Sequence, residues 1–128
     1  MKRGILVLVA FVAAVSLTAM AADEKVPATK EIMAKGNKGA LPKISAAAKS
    51  GKLEGVADAA KQLKAYGEAL GKNKPKKGEA ASWEKLTAAY KENTAAIADG
   101  VEKKDAKAVA TAAAAINKSC GACHGAHK

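Results

Sequence analysis

The chain has 128 residues, of which 22 are Lys or Arg and 12 are Asp or Glu, so its formal net charge is +10. Arg3 is the single arginine, and lysine offers no planar fork for phosphates or base edges. The near absence of arginine therefore argues against nucleic-acid binding, and a lysine-rich surface favours solubility and loose attraction to acidic proteins. Aromatic residues make up only 3% of the chain, and the abundance of Ala, Lys and Glu predicts an all-helical protein.

The first segment of the chain has the pattern of a secretory signal peptide. A basic start at 1–3 precedes an apolar stretch at 5–15 and a small-x-small cleavage site at 19–21. The apolar stretch is short for a membrane span, so we expect cleavage after Ala21 and no stable membrane insertion afterwards. An uncleaved anchor is the alternative. Both readings place the predicted domain, residues 22–128, outside the cytoplasm, and we expect a periplasmic location.

Four helices are predicted in that domain, and the sequence contains no strand pattern or linker. Their expected bounds are, in chain order, 28–49, 53–71, 80–99 and 104 or 105 to the C-terminus. Glycines and a proline inside the first helix predict a kink or break near 39–41. Apolar residues of the second and fourth helices recur at spacings of three and four, which is typical of a helix in a bundle. We expect an antiparallel up-and-down four-helix bundle.

The last nine residues contain Cys120-Gly-Ala-Cys123-His124, the attachment signature of a c-type haem. These are the only cysteines, and three residues apart on a helix their thiols project from one face, as addition to two vinyl groups requires. His124 then lies where its imidazole can bind the iron from the proximal side. A redox dithiol, a structural disulfide and half of a zinc site are the alternatives. No βαβ pattern surrounds the motif, however, and only His127 could join His124 as a further zinc ligand.

The topology predicts which residues accompany this motif. In an antiparallel bundle the end of the fourth helix lies beside the start of the first, the end of the second and the start of the third. The residues expected at this end are Ile32, Met33, Tyr66, Leu70, Trp83 and Leu86. Trp83 is expected next to the cofactor, with an ordinary core aromatic as the alternative. His127, close to the chain end, is expected to be exposed.

Met33 is the only methionine outside the predicted signal peptide, and it lies early in the first helix. A soft thioether is a suitable axial ligand for haem iron and raises its reduction potential. The alternative is a side chain that fills a gap in the core. If Ile32 faces the iron instead, the distal side is open to gases.

A four-helix pattern with a single Cys-x-x-Cys-His at the extreme C-terminus resembles the class II cytochromes c, the cytochrome c-prime family, over nearly the whole mature chain. The resemblance implies His124 as the proximal ligand and Lys128 as a basic residue near the haem edge. High-spin members place an apolar residue on the distal side and bind gases, whereas low-spin members place a methionine there and carry electrons. The segment Glu31-Ile32-Met33-Ala34-Lys35 resembles the methionine type and implies Met33 as the distal ligand.

We therefore expect an exported electron-transfer cytochrome with one covalently bound haem c. Two alternatives stay open: a five-coordinate binder of nitric oxide or carbon monoxide, and a non-haem helical protein whose cysteines form a disulfide or bind a metal. No acid–base pair or activated nucleophile is visible, so we do not expect an enzyme. Acidic redox proteins are the expected partners. A homodimer stays open, because some relatives of this fold dimerise.

Overall fold

The structure, a computed structural model, describes residues 25–128, so the predicted signal peptide lies outside the described residues. The described part contains four long helices and no strand. They are α1 (29–50), α2 (Ala57–Leu70), α3 (Ala80–Glu102) and α4 (Ala106–His127). Among the described residues, no helix is both long and apolar enough to cross a bilayer.

The first helix changes its winding along its length. It consists of Thr29–Glu31, a π-helical stretch at Ile32–Ala40 and an α-helical stretch at Leu41–Ser50. At the junction, the Leu41 N–H donates to the carbonyl five residues earlier, which is the π-helical pattern. Pro42 follows directly, and its ring has no N–H and crowds the carbonyl four residues before it. The expected break near 39–41 is therefore absent, because wider winding accommodates the proline while the helix continues.

The mixed winding keeps one face of α1 against the core. Buried residues recur every four positions along this face: Ile32, Gly36, Ala40, Ile44 and Ala48. On an α-helix, with about 3.6 residues per turn, residues spaced four apart turn slightly further around the helix axis at each step. On a π-helix, which has more than four residues per turn, they turn slightly in the opposite direction. The rotation of the buried stripe in the π-helical half is thus cancelled by the opposite rotation in the α-helical half, and both ends of the stripe face the bundle.

The other helix bounds differ from the sequence expectation at two places. A 3-10 turn at Glu54–Val56 occupies the predicted start of the second helix, so α2 begins at Ala57. The third helix was predicted to end at Gly100 but continues to Glu102. Gly100 is a close-packing position, because a Cβ there would lie 2.8 Å from a side-chain methyl of Val109 in α4.

The four helices pack in a ring, with α1 against α2 and α4, and α3 against α2 and α4. Their inner faces form one apolar cluster. Its most deeply buried large side chains are Ile32, Ile44, Leu63, Ile97, Val109 and Ile116. This packing confirms a helical bundle and brings the start of α1 close to the end of α4.

Candidate functional site

One cleft gathers the predicted site residues from the two ends of the described chain. Met33 of α1 lines it together with Cys120, Cys123 and His124 of α4. Its remaining walls come from Asn37, Leu70, Leu86, Thr87, Tyr90, Ile116 and Ser119. The fold therefore joins the C-terminal motif to the single methionine of the predicted mature chain.

The two neighbouring candidates on α1 point to different places. Ile32 is 0% exposed, belongs to the apolar core and is not among the residues that line the cleft. Met33 is half-buried and does line it. The side chain that α1 offers to the cleft is thus the thioether.

The sulfur of Met33 belongs to a polar chain inside the cleft. The Asn37 side-chain amide donates from Nδ2 to Met33 Sδ at 3.1 Å. The phenol of Tyr90, on α3, donates to Asn37 Oδ1 at 2.8 Å. Burial, with a smaller effect from Cys120, raises the pKa of Tyr90 far above its usual value. The phenol therefore stays a neutral hydrogen-bond donor at all physiological pH values.

The two cysteines are free thiols, and both are half-buried. The Cys120 thiol donates to the Ile116 carbonyl at 3.3 Å, one turn earlier in α4. Burial, followed by the proximity of Cys120, raises the pKa of Cys123. His124 lines the cleft and is exposed to solvent, so its imidazole is accessible as a ligand.

The chemistry of these groups fits a c-type haem. Two free thiols, an imidazole and a thioether are the donors that such a group uses, and Leu70, Leu86 and Ile116 supply apolar walls. The cleft itself is narrow, with about 30 Å³ of free space. Small-molecule pockets usually offer roughly 300 Å³ or more. A porphyrin would therefore fit only if the lining side chains moved apart.

Trp83 does not line this cleft and lies instead in the core beside it. Its indole N–H donates to the Asn73 carbonyl at 2.8 Å, in the loop between α2 and α3. Of the residues expected at this end, Met33, Leu70 and Leu86 line the cleft, whereas Ile32, Tyr66 and Trp83 do not. The expected contact between Trp83 and a cofactor is therefore not found among the lining residues.

His127 was expected to be exposed, and that expectation is wrong. Its side chain is buried, with a residue exposure of 6%. Nδ1 lies 2.9 Å from the Lys77 carbonyl and Nε2 lies 3.0 Å from Ser82 Oγ. With Nδ1 protonated, the ring donates to the carbonyl and accepts from the Ser82 hydroxyl. These contacts bind the end of α4 to the loop before α3 and to the first turn of α3, and no local pattern in the sequence indicates them.

Sequence reasoning also missed Asn37 and Tyr90 as residues of the cleft. Asn37 lies four positions after Met33, and this spacing on a helix brings two side chains together. That signal was available in the sequence. The contact of Asn37 with Tyr90 was not, because Tyr90 lies 53 positions after Asn37.

No protein-family model, curated protein or solved structure matches the chain. Within residues 25–128, no cluster of three or more His, Cys, Asp or Glu side chains is arranged to hold a metal ion. The C-terminal motif and the geometry of the cleft are therefore the features that bear on function.

Proposed function

We propose that this protein is an exported cytochrome with a single covalently bound haem c, and that it transfers electrons. Cys120 and Cys123 would hold the haem through two thioether bonds, and His124 and Met33 would bind its iron as the proximal and distal ligands. The haem supplies one-electron chemistry by cycling between ferric and ferrous iron.

The observation that carries the proposal is the identity of the α1 side chain in the cleft. Met33 lines it with the cysteines and His124, while Ile32 is fully buried elsewhere. This favours the methionine-ligated electron carrier over the five-coordinate gas binder, which needs an apolar residue of α1 at that position. A thioether also favours ferrous iron relative to weaker ligands and keeps small molecules away from the metal.

An antiparallel, up-and-down arrangement of the four helices is part of the proposal. It is supported by contacts at the two ends of α3. His127, at the end of α4, contacts Ser82 in the first turn of α3. At the other end, the Asp105 N–H donates to the Gly100 carbonyl at 2.8 Å, which closes the short turn between α3 and α4.

The protein's own residues perform three tasks in this proposal. The thiols of Cys120 and Cys123 would fix the ring to α4, and the His124 imidazole and the Met33 thioether would bind the iron and restrain its surroundings during electron exchange. The apolar walls formed by Leu70, Leu86 and Ile116 exclude water, which limits the reorganisation that accompanies electron exchange.

Acidic redox proteins are the proposed partners. The loop between α2 and α3 carries four exposed lysines, Lys72, Lys74, Lys76 and Lys77. The contact between His127 and the Lys77 carbonyl holds this loop beside the end of α4 that carries the haem-binding motif. Positive charge near the site of electron exchange accelerates encounter with acidic proteins.

The test is the visible spectrum of the full chain, produced in cells that mature c-type cytochromes. We expect colour that stays on the protein after acid–acetone extraction, a low-spin ferrous spectrum and slow or absent binding of carbon monoxide. The control is the Cys120→Ala, Cys123→Ala double variant, which should lose the covalent colour. A high-spin ferrous spectrum with rapid carbon monoxide binding supports the gas binder instead, and a colourless product overturns haem binding altogether.

A further inference from the structure

Asn37 has a unique position among the residues around the cleft. Besides lining the cleft, it lines a second, more open groove of about 330 Å³ between α1 and α4. The other residues of this groove are Leu41, Pro42, Ser45, Ala46, Lys49 and Asn117. The Asn37 side chain therefore lies at the boundary between the sulfur of Met33 and a solvent-accessible space.

Both polar atoms of the Asn37 side-chain amide form hydrogen bonds. Nδ2 donates to Met33 Sδ at 3.1 Å, and Oδ1 accepts from the Tyr90 hydroxyl at 2.8 Å. The phenol fixes which way the amide points, because turning the amide over would bring Nδ2 to Tyr90 and leave an oxygen against the sulfur, with no hydrogen between them. A residue of α3 thus holds a residue of α1, which in turn holds the thioether.

We propose that Asn37 is a positioning residue for the Met33 thioether, and that its hydrogen bond raises the reduction potential of the protein. This inference rests on the proposed function, in which Met33 binds the iron. It assigns a role to two residues, Asn37 and Tyr90, that lie outside the C-terminal motif.

The physical reason lies in the lone pairs of sulfur. A thioether has two and is a weak hydrogen-bond acceptor, so one pair can accept from Asn37 while the other remains for the iron. The hydrogen bond withdraws electron density from the sulfur. A poorer donor stabilises electron-poor ferric iron less, so the ferrous state is favoured. The bond also restricts the rotation of a flexible side chain, which lowers the entropic cost of holding the ligand in place.

The central variant is Asn37→Leu, which removes both hydrogen bonds but keeps a side chain of similar size between the cleft and the groove. Tyr90→Phe removes only the bond that orients the amide. The matched control is Asn117→Leu, the same chemical change on the same groove at a residue outside the Met33 cleft. All are made in the full, haem-loaded chain, and each is measured by redox titration and by the sulfur-to-iron charge-transfer absorption of the ferric form.

We expect Asn37→Leu to lower the midpoint potential and to shift and weaken the charge-transfer absorption. In a fixed redox buffer the ratio of oxidised to reduced protein should rise several-fold. Tyr90→Phe should give a smaller shift in the same direction, and Asn117→Leu should leave the potential unchanged. A purely structural role for Asn37 would reduce the melting temperature without moving either redox readout.

Failure of this inference is separable from failure of the proposed function. If the unmutated protein shows thioether ligation and Asn37→Leu leaves both redox readouts unchanged, Asn37 has no positioning role and the electron carrier stands. An equal potential shift in Asn117→Leu also overturns the role, because it shows a general effect of the groove. If the unmutated protein shows no thioether ligation, both proposals fall together.

Discussion

The imidazole of His127 stands edge-on to the indole of Trp83, with ring centroids 5.4 Å apart and ring planes at 76°. This pair joins the last turn of α4 to the first turn of α3. The same imidazole contacts Lys77 and Ser82, so one side chain connects two helices and a loop. Because His127 lies three positions after His124 on α4, its contacts also hold in place the turn of α4 that carries His124.

His127→Ala should reduce the free energy of unfolding by about 2 kcal/mol, because an edge-to-face pair and each hydrogen bond contribute roughly 1 kcal/mol apiece and water replaces part of the loss. Denaturant unfolding measures the change. His127→Phe keeps the aromatic contact and should lose less, and Lys128→Ala, at an exposed neighbour, should lose almost nothing. Equal stability of His127→Ala and the unmutated protein would mean that this contact does not hold the chain end.

Gly78→Ala should destabilise the protein more than Gly51→Ala. Both glycines have positive φ, 90° and 72°, so each alanine carries a backbone cost of about 1–2 kcal/mol. At Gly51 a Cβ would meet nothing within 4 Å, whereas at Gly78 it would lie 2.5 Å from His127 Nδ1. Thermal unfolding of the two variants measures the difference. Equal losses would show that the loop moves aside without disturbing His127.

Met33→Ala should convert the iron to a high-spin or water-bound form, lower the reduction potential and admit carbon monoxide. The reason is that the only thioether lining the cleft is removed. Ile32→Val at the adjacent buried position is the control, and it should cost about 1 kcal/mol of stability without changing the spectrum. Optical spectra with and without carbon monoxide measure the effect. A spectral change in Ile32→Val rather than in Met33→Ala would assign the distal position to Ile32.

Tyr90 should make the protein less stable in alkali. Its folded-state pKa is raised by burial, while an unfolded tyrosine ionises near pH 10, so the folded state binds the phenolic proton more tightly. This contribution is fully present below about pH 10 and is lost as the pH rises towards the higher pKa of the folded state. Denaturant unfolding as a function of pH tests it. Tyr90→Phe should flatten the alkaline decline relative to the unmutated protein, and an unchanged decline would contradict the assignment.

Charge reversal in the loop between α2 and α3 should slow electron transfer to an acidic partner. Lys74→Glu with Lys76→Glu places negative charge beside the cleft, whereas Lys52→Glu with Lys107→Glu places the same charge where α1 ends and α4 begins. Stopped-flow rates with a small acidic electron-transfer protein measure both pairs over a range of salt concentrations. The first pair should show the larger loss, and salt should reduce the difference because exposed charges are screened over about 8 Å at physiological ionic strength. Equal losses would make the lysines a general solubility feature.

The sequence alone determined the class of fold and the chemistry of the donors. The helix-forming composition and the spacing of apolar residues by three and four predicted four helices. These signals are local, because each helix carries them within its own segment of the sequence. The thiol and imidazole spacing in Cys120-Gly-Ala-Cys123-His124 is equally local. Met33 became the candidate ligand because it is the only methionine outside the predicted signal peptide, because it lies early in the first helix, and because its segment resembles the methionine-ligated members of a known family.

Only the tertiary structure decided which side chains meet. Whether Ile32 or Met33 lines the cleft depends on how α1 turns relative to α4, and the packing of Ile32 in the core leaves Met33 on the side of the cleft. His127 is buried against partners that lie 45 and 50 positions away, in the first turn of α3 and in the loop before it. The link from Tyr90 through Asn37 to Met33 likewise joins two helices. Contacts of this kind have no local periodicity, since they arise only when the whole bundle is packed.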